Sequence, residues 1–184
     1  MKNNVIFLFF VIFIYSQKTV MSQNFIYDFD NHSKISNWVI VNDDVMGGLS
    51  SCQMRIDKNG NGVFEGLIST RNNGGFSSIR LNLNRIEVSE DSYFKIKLKG
   101  DNKKYQFRIK KNRSDYHSYI ASFQTNSQWE VIKIALKDMY PSFRGRKLKM
   151  KNFSGDYFQQ ISILVGNKKN ERFKLLIDSI ELIN

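Results

Sequence analysis

Cysteine is almost missing from this chain: Cys52 is the only one. That excludes an internal disulfide and any Cys-based metal site. There is one proline, Pro141, so no Pro-rich linker divides the sequence. Histidine is scarce as well. His32 and His117 lack the paired spacing of a zinc site. No Gly-x-Ser-x-Gly elbow supports a hydrolase triad. A Walker loop and a dinucleotide fingerprint are both absent, as is the strand–helix alternation they need. Acids are outnumbered, 17 against 28 Lys and Arg. No metal and no cofactor is expected.

Only one long apolar run exists, Val5 to Tyr15. It is short of the roughly 20 residues that cross a bilayer. Lys2 precedes it, and the small residues Val20 and Ser22 follow at the −3 and −1 positions of a cleavage site. This order is that of a secretory signal, so residues 1–22 are expected to be removed and the protein to be periplasmic or secreted. An uncleaved signal anchoring the chain in the membrane is the alternative. Losing this segment takes away Lys2 and Lys18 and no acid, so the formal charge of +11 becomes +9. Such a surface attracts anionic partners, and export makes nucleic acid the least suitable of them.

What remains, residues 23–184, fits one domain. Its dominant pattern is period-2 alternation. In Phe94-Lys95-Ile96-Lys97-Leu98-Lys99 the apolar residues take one face and the lysines the other. Gly100-Asp101-Asn102 reads as a turn, and Tyr105-Gln106-Phe107-Arg108-Ile109-Lys110 alternates again. The pair predicts a β-hairpin with a dry face, Tyr105 included, and a basic face. Further strands are predicted at Phe25–Phe29, Trp38–Val41, Gly62–Ile68, Phe76–Leu83, Tyr116–Gln124, Trp129–Leu136, Ile161–Val165 and Phe173–Ile183. One helical turn is expected near Leu136–Tyr140, then a long basic loop from Lys137 to Gly155. About ten short strands separated by Gly, Asn, Asp and Ser clusters indicate an all-β sandwich or jelly roll.

The polar residues offer chemistry sparingly. Asp43 and Asp44 are adjacent, so on an extended segment they point to opposite faces and make a poor acid/base pair. Turn capping suits Asp43; Asp44 suits an ion pair with an arginine, or calcium ligation. Gly74-Gly75 precedes a strand, not a helix, so a tight turn fits better than a phosphate cradle. Cys52 fits a small buried residue. The arginines Arg80, Arg108, Arg144 and Arg146 carry more recognition chemistry than the lysines, because guanidinium pairs bidentately with carboxylate and phosphate.

Several of these residues fall into ordered motifs. Trp38 with Asn42-Asp43-Asp44-Val45-Met46-Gly47-Gly48-Leu49-Ser50 resembles the opening signature of the complex I intermediate-associated protein 30 family. Phe64-Glu65-Gly66 and Asn72-Asn73-Gly74-Gly75-Phe76-Ser77-Ser78-Ile79-Arg80 resemble its next ones. Gly100-Asp101, Tyr105 and Arg108 follow, then Trp129 and Pro141-Ser142-Phe143-Arg144-Gly145-Arg146, then Phe173, Leu175, Ile177 and Ile180. The resemblance spans Phe25 to Ile183. It implies a galactose-binding-like jelly roll and a chaperone-like role in assembling respiratory complex I. The chain departs from the pattern in Asn102-Lys103-Lys104 and in Gly166 to Arg172, which lacks the usual Gly-Pro. An exported relative would also meet different partners.

The expectation is therefore a non-enzymatic binding module outside the cytoplasm, contacting a protein or a glycan. An assembly factor touching complex I subunits is the first alternative, and a glycan-active enzyme the second. The expected binding set is Asn42, Asp44, Asn73, Arg80, Arg108 and Arg144. Asn42 and Asn73 would order loops and Asp44 would pair with an arginine. A purely structural role for the whole set stands beside the ligand-binding one.

Overall fold

The computed structural model describes residues 23–184; the export segment predicted over residues 1–22 lies outside the described residues. Thirteen strands are present: β1 (Gln23–Asp28), β2 (Trp38–Asn42), β3 (Ser51–Ile56), β4 (Gly62–Ile68), β5 (Ser77–Glu87), β6 (Tyr93–Lys99), β7 (Lys104–Lys110), β8 (Ser118–Gln124), β9 (Trp129–Ala135), β10 (Tyr140–Phe143), β11 (Arg146–Lys147), β12 (Tyr157–Val165) and β13 (Glu171–Ile183). Helical structure among the described residues is limited to four short 3-10 turns, one of them the expected turn at Leu136–Asp138. Every strand pairing is antiparallel.

The strands form two sheets. A six-stranded sheet runs β3-β4-β13-β6-β9, with β1 also paired to β13. A seven-stranded sheet runs β11-β10-β8-β7-β12-β5-β2. Their inner faces close a shared core, because alternation gives each strand one apolar side. Phe94 of β6 meets Phe107 of β7 at 4.7 Å and Phe158 of β12 at 5.4 Å, so rings from both sheets interlock. Phe64 and Phe173 pack edge to face within the six-stranded sheet at 4.7 Å. Each of these rings is buried, and burying one stabilises the fold by about 1.5–3 kcal/mol. Phe94→Ala would open a cavity at the centre and cost roughly 3–5 kcal/mol.

The sandwich matches the predicted class, with three strands more than about ten. β3, β10 and β11 were missed: β3 reads Ser-Cys-Gln-Met-Arg-Ile, mostly polar, while β10 and β11 are very short. The predicted loop from Lys137 to Gly155 therefore contains a small hairpin, Ser142 facing Lys147. A larger correction concerns β6 and β7, which do not form a hairpin. β6 pairs with β13 and β9; β7 pairs with β12 and β8. Alternation fixes which side of a strand is dry but not which strand lies beside it. The connection instead crosses between sheets, held by Asp101, which accepts from the Tyr105 hydroxyl at 2.9 Å and the Lys174 amide at 2.8 Å. Lys95, Lys97 and Lys99 thus face one side of the molecule, and Arg108 and Lys110 the other.

Candidate functional site

On the outer side of the seven-stranded sheet, in-register neighbours form rows across the strands. One row runs Val39, Arg80, Ser162, Arg108, Ile120 and Tyr140. The next places Asn82, Gln160 and Lys110 side by side. These residues point away from the core, yet several are nearly inaccessible: Ile120 is 2% exposed, Ser162 5% and Gln160 9%. The face is therefore recessed, with a polar floor at Ser162 and Gln160 and long side chains standing over it.

Arg80 and Arg108 flank Ser162 from either side. Two strand spacings put their backbones about 10 Å apart. Gln106 holds Arg108: its Oε1 accepts from Nε at 3.1 Å and from Nη2 at 2.5 Å. Two of the five guanidinium N–H groups are used, which leaves three to be offered to a ligand. Burial, and then the positive charge of Arg80, push the Arg108 pKa down to about 10. It is still charged at neutral pH. Burial lowers Arg80 too, and Lys110 is lowered by burial and then by Arg80. Lys110 Nζ donates to the Asp115 carbonyl at 2.5 Å. Among the described residues none of the three cations makes an ion pair. The Asp115 carboxylate is turned to the Asn112 amide, 2.9 Å away.

One rim of this face is tied by a buried carboxylate. Asp43, 5% exposed, accepts from the Ser50 hydroxyl and the Gly75 amide, both at 2.5 Å, the Ser50 amide at 3.1 Å and the Phe76 amide at 3.3 Å. Burial alone would raise its pKa, but these bonds outweigh it and hold the carboxyl below its ordinary value. Gly74 lets the loop come this close, since a Cβ there would lie 2.5 Å from Asp43 Oδ2. Gly75 has φ +131, as the tight-turn reading required. The glycine pair does cradle an anion, and it is the chain's own.

The expected binding residues do not converge as a set. Arg80 and Arg108 come together. Asn42, at the end of β2, accepts from the Cys52 thiol of β3 at 3.3 Å and so bridges the two sheets. Burial pushes Cys52 up to about 11, which fits an inert small residue. Asp44 is exposed and has no arginine partner among the described residues, so its predicted pairing is corrected: the carboxylate that turns inward is Asp43. Asn73 takes a left-handed φ of 58 but is exposed; the side chain that ties this loop is Asn72, whose Nδ2 donates to the Gly47 carbonyl at 3.0 Å. Arg144 sits in the β10–β11 turn with φ 46, its guanidinium over the Phe143 ring at 5.3 Å, apart from the other two arginines. Sequence reasoning missed Gln106, Lys110, Gln160 and Ser162 as site residues. The signal was available: Gln160 and Ser162 alternate with Ile161 and Ile163, giving this part of the strand a polar outer side that holds no charge.

A depression of about 720 Å³ lies on the opposite face, lined in part by Gln53, Glu65 and Lys174. Most of its charges are already matched, Arg172 excepted. Glu65 takes Arg55 at 3.0 Å, Lys174 at 3.5 Å and the Gln53 amide at 2.9 Å. The volume and the cluster of unpaired cations therefore lie on different faces. Among the described residues no three His, Cys, Asp or Glu converge on a metal-binding geometry. No helix among them is long and apolar enough to cross a membrane.

The sequence matches the family described as complex I intermediate-associated protein 30 over residues 27–177. No curated protein matches it. Solved structures share the fold. A family 11 carbohydrate-binding module from Clostridium thermocellum, in complex with a β-1,3-1,4-mixed-linked tetrasaccharide, is 18% identical with a TM-score of 0.63, covering 87% of this chain and 94% of its own. The family 11 module of a cellulosomal cellulase of Clostridium thermocellum is 17% identical with a TM-score of 0.64, covering 89% and 95%. A variant family 29 carbohydrate-binding module is 10% identical, covers 89% and 85%, and has a TM-score of 0.53. At such identities the likeness is one of fold.

Proposed function

The chain belongs to the complex I intermediate-associated protein 30 family, and from that premise we propose that it is a non-catalytic binding module, exported from the cytoplasm, that holds a glycan on the recessed face of its seven-stranded sheet. The observation that carries this reading is the row Arg80-Ser162-Arg108, in which neither guanidinium has a carboxylate partner among the described residues and Arg108 keeps three N–H groups free of Gln106, over a floor closed to bulk water. Hydrogen bonds from charged donors in a desolvated recess are stronger than those on an open surface. Ser162, Gln160 and Asn82 add hydroxyl and amide groups that both donate and accept, as sugar hydroxyls do. Gln160 Nε2 already donates to Asn82 Oδ1 at 2.8 Å, so the floor is held before a ligand arrives. The two strands bearing the arginines are locked to β12 along their length, which fixes the donors in place. Proton-transfer chemistry has less support, because these rows bring cations and amides together and no carboxylate with them.

A glycan array probed with the wild-type protein and with Arg108→Ala tests this directly. Binding by the wild type that drops in the variant is expected. Equal binding by both removes Arg108 from the site. No binding to any glycan sinks the reading and turns attention to a protein partner.

Family membership itself favours a second reading, assembly of respiratory complex I. The two differ in compartment. Cell fractionation with mass spectrometry of the mature N-terminus separates them: an intact N-terminus on the cytoplasmic side of the membrane favours assembly, and loss of residues 1–22 favours export.

A further inference from the structure

Resting on the reading of this face as a glycan site, we infer that its ligand is an acidic polysaccharide, whose carboxylate or sulfate groups are taken between Arg80 and Arg108. The argument starts from what the face lacks. Arg80, Arg108 and Lys110 stand close enough for Arg80 to disturb the other two, and the rows that carry them contain no Asp or Glu. Three like charges over a recessed floor repel one another, and water reaches the floor poorly. Asp115 offsets part of this at Lys110; an anion placed among the three removes the rest and supplies acceptors to the N–H groups that Gln106 and the Asp115 carbonyl leave free. Arg108 is already oriented for this. Gln106 grips it through Nε and Nη2, so the free N–H groups project as a fork, the geometry that carboxylate and sulfate oxygens match.

Neutral sugars fit the face less well. They are commonly held by flat aromatic surfaces, and the row through Arg80 and Arg108 offers one ring, Tyr140. That ring already has Lys147 Nζ over it at 5.1 Å, a further cation at the margin. A phosphodiester backbone only accepts hydrogen bonds. It would leave the acceptor side of Ser162, Gln160 and Asn82 unused, whereas sugar hydroxyls engage both sides. A lipid surface is flat, and Ser162 at 5% exposure lies below the reach of a flat partner. The shared chemistry is thus an anionic group on a hydroxyl-rich chain.

The test is isothermal titration calorimetry of the purified protein against polygalacturonate, its carboxyl-reduced neutral form, heparin and duplex DNA. Binding to polygalacturonate identifies carboxylate as the anion; heparin carries both carboxylate and sulfate, so binding to heparin without binding to polygalacturonate identifies sulfate. The carboxyl-reduced polymer should bind at least about tenfold more weakly than its acidic parent. Arg80→Met and Arg108→Met should each lose about tenfold, and added NaCl should weaken binding. Lys133→Met, on the outer side of β9, should bind like wild type. Thermal melting checks that each variant folds. Arg108→Lys, which keeps the charge and loses the fork, should fall between wild type and Arg108→Met, and it serves if the Met variant does not fold. Neutral polymer bound as tightly as acidic polymer, with both arginine variants unaffected, overturns the acidic ligand and leaves the glycan module standing. No polysaccharide bound at all overturns both. DNA bound more tightly than either polyanionic sugar, or Lys133→Met losing as much as Arg80→Met, also overturns the inference, since the face would then act through diffuse charge.

Discussion

On the outer side of the six-stranded sheet, Lys95 reaches Glu181 at 2.9 Å and Lys97 reaches Asp178 at 3.3 Å. On the outer side of the seven-stranded sheet, Arg80 and Arg108 stand over a nearly dry floor with no acid beside them. Both faces are basic by count of side chains, and they handle the charge in opposite ways. On the first, Lys95 and Lys97 are matched by cross-strand pairs that contribute little energy each, and Lys133 is left exposed to solvent. The second carries unrelieved repulsion in a recess, where charge is more expensive to hold. Net charge alone does not separate a solvated face from a receptive one; the partners of each charge do. The loop knot at the rim gives a third case, a single buried carboxylate with every bond supplied by the protein.

This contrast predicts a graded series of effects. The largest belongs to the fully satisfied charge. Asp43→Ala leaves the Ser50, Gly75 and Phe76 donors without their acceptor and should destabilise the fold by about 3 kcal/mol, lowering the melting temperature by roughly 10 °C. A melting curve matching wild type would show that the knot does not hold the loops.

The next effect is the pH dependence of that same group. The Asp43 pKa is lower in the folded protein than in the unfolded chain, so its contribution is complete above the unfolded carboxylate pKa of about 4. It is lost as the pH falls through the folded value. Urea unfolding followed downward from pH 5 should show wild type losing stability faster than Asp43→Asn. Parallel curves would mean that Asp43 is no better held folded than unfolded.

Smaller again is the cost on the matched face. Glu181→Ala should lose about 1 kcal/mol, because the Lys95 pair is only partly buried. A loss above that of Asp43→Ala would break the ranking. The smallest effect, and the one of opposite sign, belongs to the recess. Arg80→Met keeps the aliphatic stem and removes a repelling charge, so stability should stay within about 0.5 kcal/mol of wild type or rise. A clear loss would mean that Arg80 has a structural partner, and the receptive character of that face would go with it.

Much of this architecture could be read from alternation. The dry sides of β6 and β7 follow from residues two apart, Tyr105 among them; in β13 the alternation breaks between Ile177 and Ile180, where the register shifts. What alternation does not carry is adjacency. β6 and β7 are near-perfect neighbours in sequence and belong to opposite sheets, because hydrophobic matching across the core satisfies both as well as pairing would. The site was half legible for the same cause. Arg80 and Arg108 were identifiable by residue type, yet the residue between them, Ser162, lies more than fifty positions further on and has no chemistry of its own to mark it. Asp43 and Asp44 are indistinguishable by type. Only the closure of Gly75 and Ser50 around one of them decides which turns inward.

The position of β13 has a consequence in time. It is the last strand of the described chain, and it is also the one to which β1, β4 and β6 all attach. During synthesis the β3–β4 and β6–β9 pairs can form, but each presents a bare edge where β13 belongs, and β1 has no partner. Nothing joins them until residues 171–183 have been made. The six-stranded sheet is therefore completed after translation of almost the whole domain, by long-range pairings that form slowly. A nascent chain in this condition exposes strand edges prone to aggregation, so a chaperone that holds the unfinished sheet, or passage across a membrane in an unfolded state, would suit its order of assembly.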